Sequence, residues 1–131
     1  MKAITIYEPW ASWIRAGAKT IETRSHDRFR SLVGRRIAIH AGRTYDPLAE
    51  ASRVLAAAGL AVPAPQCRLG QIVCTVAVCS ARWLRAADSA AAMCDCRPDP
   101  SAGRQRFGLF LRDPIRIDGV TVRGRQGIWN W

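Results

Sequence analysis

The side chains best suited to chemistry stand close together near the N-terminus, in the pattern Gly17-x-Lys19-x-x-Glu22-x-Arg24. If this stretch forms a strand, Glu22 and Arg24 project from the same face and can pair or share a ligand. Lysine binds phosphate as a point charge, arginine binds it through two parallel hydrogen bonds, and glutamate can accept a hydrogen bond from cytosine N4. The pattern predicts a cleft for RNA or a nucleobase, or else a buried ion network that ties a helix to a sheet.

A second candidate segment lies near the C-terminus, where Arg123, Arg125 and Gln126 alternate with Gly124 and Gly127. Glycines let a backbone approach a ligand closely, and the three polar side chains supply charge and directional donors. We interpret the segment as a ligand-binding loop; the alternative is a solvated turn.

The stretch after Glu8 predicts a short helix whose two sides differ in character. Trp10, Trp13 and Ile14 recur at helical spacing and favour core packing, although Trp10 can also stack on a flipped base. Ser12 falls on the opposite side of that helix, where it can donate to a ligand oxygen or simply face water.

A basic cluster and a histidine follow the first motif. Arg28, Arg30, Arg35 and Arg36 can track a nucleic-acid backbone, although a plain solvated surface explains them equally well. His40 takes the solvent-facing position of its predicted strand, which suits either a ligand contact or a structural role.

The elements that would position these residues are mostly short strands. Alternating hydrophobic residues predict strands over 3–7, 19–25, 36–41, 71–83 and 107–112, and a hairpin over 115–122 that turns at Asp118-Gly119. Helices are predicted over 9–16, from Asp46-Pro47 to about Ala58, and within 85–104. Strand 71–83 is apolar on both faces and should be central. The absence of regular helical crossovers favours a small barrel decorated by helices.

Composition sets broad limits on the class of protein. The 131 residues, 49% of them hydrophobic, suit one domain with one core. The net charge of +10 attracts phosphates, although enrichment in arginine and alanine is also what a GC-rich genome produces. No apolar run approaches the roughly 20 residues of a membrane span, and the alternating N-terminus indicates a strand, not a signal peptide. We therefore expect a cytoplasmic monomer without membrane contact.

The cysteines do not predict a metal site. Their number is odd, and no Cys-x-x-Cys pair is present. Cys94-Asp95-Cys96 offers two thiols, but a structural zinc usually needs four ligands and no other residue has metal-ligand spacing. We expect neither a metal nor another cofactor. The five cysteines are Cys67, Cys74, Cys79, Cys94 and Cys96.

Residues 9–12 (Pro-Trp-Ala-Ser), 17–24 and 124–129 together resemble the ASCH domain family, and the likeness spans nearly the whole chain. The resemblance implies a single ASCH domain over 1–131 of the single-domain bacterial or phage type. Its fold would be α+β, mainly β: a PUA-like small mixed β-barrel of about six strands with two or three peripheral helices. PUA relatives commonly bind RNA, so the resemblance implies an RNA-binding module, with DNA or a modified nucleoside as the alternative ligand. The residues predicted to bind are Trp10, Ser12, Lys19, Glu22, Arg24, Arg35, Arg36, His40, Arg123, Arg125 and Gln126.

The resemblance also raises catalysis as an alternative to binding. Some small ASCH amidohydrolases deacetylate N4-acetylcytidine with a lysine, a threonine three residues on, and a glutamate on a later strand. This chain keeps the lysine as Lys19 but has Glu22 in the threonine position, and strand 71–83 contains no acid. Lys19 and Glu22 are therefore the candidate catalytic pair of a variant hydrolase that acts on RNA or a modified nucleoside.

Overall fold

The computed structural model describes residues 1–46 and 49–131, and the elements in these ranges confirm the α+β, mainly β class. Three short helices decorate one mixed sheet of six strands. The strands are β1 (Lys2–Glu8), β2 (Ile21–Arg24), β3 (Arg36–Tyr45), β4 (Gln71–Trp83), β5 (Phe107–Thr121) and β6 (Ile128–Asn130). The helices are α1 (Trp10–Ala16), α2 (Ala49–Ala57) and α3 (Ser89–Ala92).

The strands follow the order β2-β5-β4-β3-β1-β6. β1 runs parallel to β3, and the other neighbours are antiparallel. β4 lies in the interior, as its two apolar faces predicted. No ladder joins β2 to β6 in the described ranges, so the sheet stays open where the sequence predicted a barrel. The edge strands have only four and three residues, which leaves little backbone to pair across that gap.

The main hydrophobic core is built from the inward faces of β1, β3, β4 and β5, with α1 packed against them. A 3₁₀ turn over Arg28–Leu32 adds two apolar side chains to this cluster. The cluster comprises Ile4, Ile6, Ala11, Ile14, Phe29, Leu32, Ile37, Ile39, Ala41, Val73, Cys74, Val76, Val78, Phe107, Leu109 and Leu111.

Helix α1 ends where the sequence predicted, and its end fixes the course of the first motif. Gly17 adopts the left-handed conformation at φ 79°, and its N–H donates to the Ile14 carbonyl. The N–H of Lys19 donates to the Trp13 carbonyl at 3.1 Å. Because these bonds keep residues 18–19 against the end of α1, strand β2 begins at Ile21 and is shorter than the predicted strand 19–25.

The predicted hairpin at Asp118-Gly119 is wrong. Residues 107–121 form one strand, β5, which pairs with β4 along its whole length. Gly119 has φ +74°, and the β4–β5 register shifts beside it, so the Asp-Gly pair forms a bulge in a continuous strand. A hairpin and a bulged strand share the same alternation of apolar residues, which is why the pattern did not separate them.

Buried Arg15 of α1 holds this bulge in place. Its Nη1 donates to the carbonyls of Val73 at 2.8 Å and Ile117 at 3.1 Å, and its Nη2 donates to Asp118 Oδ1 at 2.9 Å. One guanidinium therefore ties α1 to both β4 and β5.

Helix α2 ends at Ala57, one residue before the predicted end, and the following Gly59 has φ +73°. The predicted start at Asp46-Pro47 cannot be compared, because Pro47 lies outside the described residues. None of the described helices combines the length and apolarity needed to cross a bilayer.

Replacing Arg15 with methionine should destabilise the fold, because a buried carbonyl of β4 and a partly buried carbonyl of β5 each lose a charged donor. We expect the free energy of unfolding to fall by about 3 kcal/mol in urea titrations. Asp118→Asn is the matched control, since the Asp118 side chain is 65% exposed and its exposed ion pair should contribute less than about 1 kcal/mol. Equal losses in the two variants would contradict this account of the bulge.

Candidate functional site

A cavity of about 1280 Å³ opens between residues 19–24 and residues 122–128. The two segments that the sequence analysis singled out therefore face each other, although about a hundred residues separate them. Thr5–Tyr7 of β1 and the C-terminal half of β3 also line it. The cleft lies where the unclosed sheet leaves β2 and the β1–β6 edge apart.

The lining of this cleft is positively charged. Seven of its side chains belong to lysine or arginine, and three belong to aspartate or glutamate. Such a surface attracts polyanions and raises their local concentration. The basic residues are Lys19, Arg24, Arg28, Arg43, Arg106, Arg123 and Arg125, and the acidic ones are Glu22, Asp46 and Glu50.

Lys19 lies at the floor of the cleft and is only 3% exposed. Its Nζ donates to the carbonyl of Ala92 at the end of α3, and lies 5.0 Å from the ring centroid of Trp10. The carboxylate oxygen Oε2 of Glu22 is 4.0 Å from the same Nζ. The ammonium group is thus compensated by a carbonyl, an aromatic face and a carboxylate.

Glu22 has charged neighbours but no close donor. Its Oε1 is 3.6 Å from Nη2 of Arg24 and its Oε2 is 4.0 Å from Lys19, so neither contact is a short hydrogen bond. Arg24 instead reaches across the cleft to the Thr5 carbonyl at 3.4 Å and stacks on Phe29 at 4.7 Å. Among the residues that the structure describes, none makes a hydrogen bond to the Glu22 carboxylate, so its oxygens are available to a ligand.

Trp10 serves both the core and the cleft. Its ring packs edge-on against Trp13 at 5.3 Å, and its Nε1 donates to Asp46 Oδ2 at 2.7 Å. The half-buried ring also forms part of the cleft wall beside Lys19. The indole is therefore held in one orientation, with a surface that a planar ligand can contact.

The expectation that His40 faces solvent is wrong. The chain after β5 folds over β3 and buries the imidazole, which is only 2% exposed. Its Nε2 donates to the Val122 carbonyl at 3.1 Å, and its ring packs edge-on against Trp129 at 5.8 Å. A Cβ at Gly124 would collide with the imidazole ring, so glycine is required for this close approach. His40 thus supports the 123–127 segment from beneath while still contacting the cleft.

The second predicted segment forms the exposed rim. The side chains of Arg123, Arg125 and Gln126 are exposed, and make no hydrogen bond or ion pair with other residues in the described ranges. The backbone beneath them is anchored, because the Thr5 hydroxyl donates to the Arg125 carbonyl at 2.8 Å. A fixed backbone therefore presents exposed cationic side chains at the mouth of the cleft.

Three predicted binding residues lie outside the cleft. Ser12 is buried, and its hydroxyl lies within hydrogen-bond distance of two acceptors: Glu8 Oε1 at 2.7 Å and the Gln66 carbonyl at 2.8 Å. Arg36 donates to Thr75 Oγ1 at 3.1 Å and supports the sheet, while Arg35 is exposed elsewhere. Helical and strand parity indicated only which way these side chains point, not what covers that face.

Several lining residues escaped the sequence analysis, because no local motif marks them. Buried Glu8 was also missed, although it does not line the cleft: it accepts hydrogen bonds from the backbone N–H groups of Ser12 and Arg68. No group of three or more His, Cys, Asp or Glu residues suited to a metal occurs in the described parts of the chain. The missed lining residues with polar or reactive groups include Tyr7, Thr23, Arg43, Glu50, Cys94 and Arg106.

Comparisons with known proteins agree with the family resemblance and the fold. The model of the ASCH domain matches residues 4–98. The ASCH protein from Zymomonas mobilis has a similar fold, with 17% identity over 89% of this chain and 73% of that chain, at a TM-score of 0.51. A serine-to-alanine variant of that protein matches over 98% of this chain and 85% of its own length, with 16% identity and a TM-score of 0.54. No curated protein matches the chain.

The burial of His40 predicts a pH-dependent stability. Burial lowers the pKa of His40 from its usual 6.5, although the hydrogen bond to the Val122 carbonyl opposes this shift. As pH falls below 6.5, the unfolded chain therefore binds a proton before the folded one does. The free energy of unfolding should decline between pH 7 and pH 5, by at most about 1.4 kcal/mol per pH unit.

Urea titrations across this pH range, with His40→Gln and His26→Gln, would isolate the effect. His40→Gln should flatten the slope more than His26→Gln, because His40 is almost fully buried. His26 is half-buried and should contribute a smaller part, since burial and the charges of Arg28 and Arg24 lower its pKa as well. Identical slopes in wild type and His40→Gln would contradict the assignment.

Proposed function

Because this chain belongs to the ASCH domain family, we propose that its cleft binds RNA, with one base at the floor and the neighbouring phosphates on the rim. The observation that carries the proposal is the cavity of about 1280 Å³ between residues 19–24 and 122–128, with its excess of basic side chains. RNA is favoured over duplex DNA because the bases of single strands and loops can be splayed into a pocket. Single-stranded DNA is the alternative polymer.

The floor supports recognition of a base. Glu22 holds carboxylate oxygens that lack a close donor among the described residues, and Lys19 presents its ammonium group 4.0 Å away. An exocyclic amino group can donate to Glu22, whereas a carbonyl in that position would face a carboxylate. Since an unpaired polar group in a buried site is costly, cytosine, adenine or guanine should be preferred over uracil.

The rim supports contacts with phosphates and neighbouring bases. Arg123 and Arg125 are exposed at the mouth of the cleft, and Arg43 also lines it. Tyr7 also lines the cleft and is 55% exposed, so its ring is free to stack on a base next to the bound one. Cationic side chains next to an exposed aromatic ring are typical of single-strand binding sites.

Arg125→Gln should weaken binding of a fluorescent single-stranded RNA without unfolding the protein. We expect a loss of about five- to tenfold in affinity at low salt. The slope of log K against log salt should fall by about 0.7, the value for one phosphate contact on a single strand. Fluorescence anisotropy over a salt series measures both quantities.

Arg53→Gln is the matched control, because Arg53 is exposed on α2, outside the cleft lining, and the variant makes the same change of charge. In the same assay, Glu22→Gln should reduce the preference for oligo-cytidine over oligo-uridine. An affinity for RNA that does not depend on salt concentration, or equal losses of affinity in Arg53→Gln and Arg125→Gln, would overturn the proposal.

A small hydrolase is the second candidate, and the contact between Lys19 and Glu22 favours it. A carboxylate 4.0 Å from an ammonium group, both nearly buried, can move protons while the lysine polarises a carbonyl. The chain lacks the other two catalytic residues of the known amidohydrolases, since Glu22 stands in the threonine position and β4 contains no acidic residue. Binding therefore remains the principal proposal.

Incubation with N4-acetylcytidine separates the two functions. If the cleft only binds, the wild type should release no cytidine above the uncatalysed rate in a chromatographic assay. Release of cytidine by the wild type but not by Lys19→Ala would establish the hydrolase in its place. Circular dichroism of Lys19→Ala controls for loss of the fold.

A further inference from the structure

Two thiols lie together beside the cleft, and neither proposed function uses them. Cys94 forms part of the cleft wall, and its Sγ is 3.9 Å from the Sγ of Cys96. The Cys94 thiol is also 3.8 Å from the Thr23 hydroxyl of β2. Both cysteines are at least 96% buried, but only Cys94 lines the cavity.

Three hydrogen bonds fix the backbone of residues 94–96. The N–H of Cys94 donates to the Ser89 carbonyl at 3.2 Å, and that of Cys96 donates to the Ser89 hydroxyl at 3.0 Å. Between them, the N–H of Asp95 donates to Glu50 Oε1 at 2.9 Å. The backbone positions of Cys94 and Cys96 are therefore fixed, which keeps the two thiols within reach of each other.

The surroundings favour a thiolate on Cys94. The hydrogen bond from the Cys96 thiol lowers the pKa of Cys94, and the positive charges of Lys19 and Arg106 act in the same direction against burial. The same pairing raises the pKa of Cys96. One thiol is thus activated as a nucleophile while its neighbour stays protonated, the asymmetry that thiol pairs of redox proteins use.

We propose that Cys94 and Cys96 form an oxidation site, at which a hydroperoxide converts the two thiols into an intramolecular disulfide in the cleft wall. The Cys94 sulfur attacks one peroxide oxygen, the O–O bond breaks, and the departing oxygen takes a proton to form water or an alcohol. Cys94 is left as a sulfenic acid. The Cys96 sulfur then attacks the Cys94 sulfur and displaces hydroxide, which leaves as water with the Cys96 proton. The two sulfurs lose two electrons in all, and one peroxide is reduced.

The geometry assigns different parts to the two residues. Cys94 meets the peroxide because it lines the cavity, and Cys96 resolves the sulfenic acid from behind the wall. A ring closed by cysteines two residues apart is small, so a dithiol should reopen it readily. The site does not rest on RNA binding, since oxidation is measured on the thiols themselves.

Oxidation of the intact protein by hydrogen peroxide tests the proposal. After treatment, free thiols are alkylated in denaturant and the protein is digested with trypsin. Residues 86–104 form one tryptic peptide, because Pro98 protects the bond after Arg97 from cleavage. The cysteines of this peptide are Cys94 and Cys96. We expect this peptide to be lighter by the mass of two hydrogen atoms and to resist alkylation. Reduction with dithiothreitol should restore both the original mass and the reactivity of the two thiols toward the alkylating agent. Oxidation of Met93 in the same peptide adds an oxygen atom and is distinguished by mass.

The exposed cysteines Cys67 and Cys79 provide the internal comparison. Cys94 should react at least about tenfold faster than either, because the thiolate is the reactive form. Cys96→Ser should stop the reaction at a sulfenic acid on Cys94, which dimedone traps, and Cys94→Ser should leave Cys96 alkylatable. If peptide 86–104 in the wild type stays fully alkylatable while Cys67 or Cys79 oxidises, the proposal is wrong.

Discussion

Burial of the Lys19 ammonium group is the constraint on which the cleft depends. A cation withdrawn from water must be compensated by nearby acceptors, or the fold loses several kcal/mol. Here the Ala92 carbonyl, the Glu22 carboxylate and the Trp10 ring share that task. These three partners come from the end of α3, from β2 and from α1. The charge therefore adds a polar tie between elements that hydrophobic clusters also join.

The open edge of the sheet turns this charged floor into a cleft. Edge strands β2 and β6 are too short to pair with each other over any length, and polar side chains occupy the gap between them. Arg24 spans the gap to the Thr5 carbonyl, and the 123–127 segment rests on His40 above it. A closed barrel would fill this space with backbone pairing. The open one leaves a basic cavity whose walls come from both ends of the chain.

Prediction from sequence succeeded where one local rule decides the outcome. The α1 stripe, its stop at Gly17, and the length and central place of β4 all follow from periodicity and glycine conformation. Prediction failed where contacts with residues distant in the sequence determine the local structure. Asp118-Gly119 forms a bulge because Arg15 and β4 hold both halves of β5, and His40 is buried because the chain after β5 covers it. Parity of a strand says which face a residue occupies, not whether another segment covers that face.

By itself, the sequence determined the family, the mixed α+β class, most of the elements and the two segments that bound the cleft, because motif spacing and hydrophobic period are local properties of the chain. Only the tertiary structure decided that Ser12 and Arg36 turn away from the cleft, and that Cys94 joins its wall beside Lys19. Such outcomes depend on which strands pair and in what register. Those pairings join residues far apart in sequence, and a single chain without its fold carries no local signal of them.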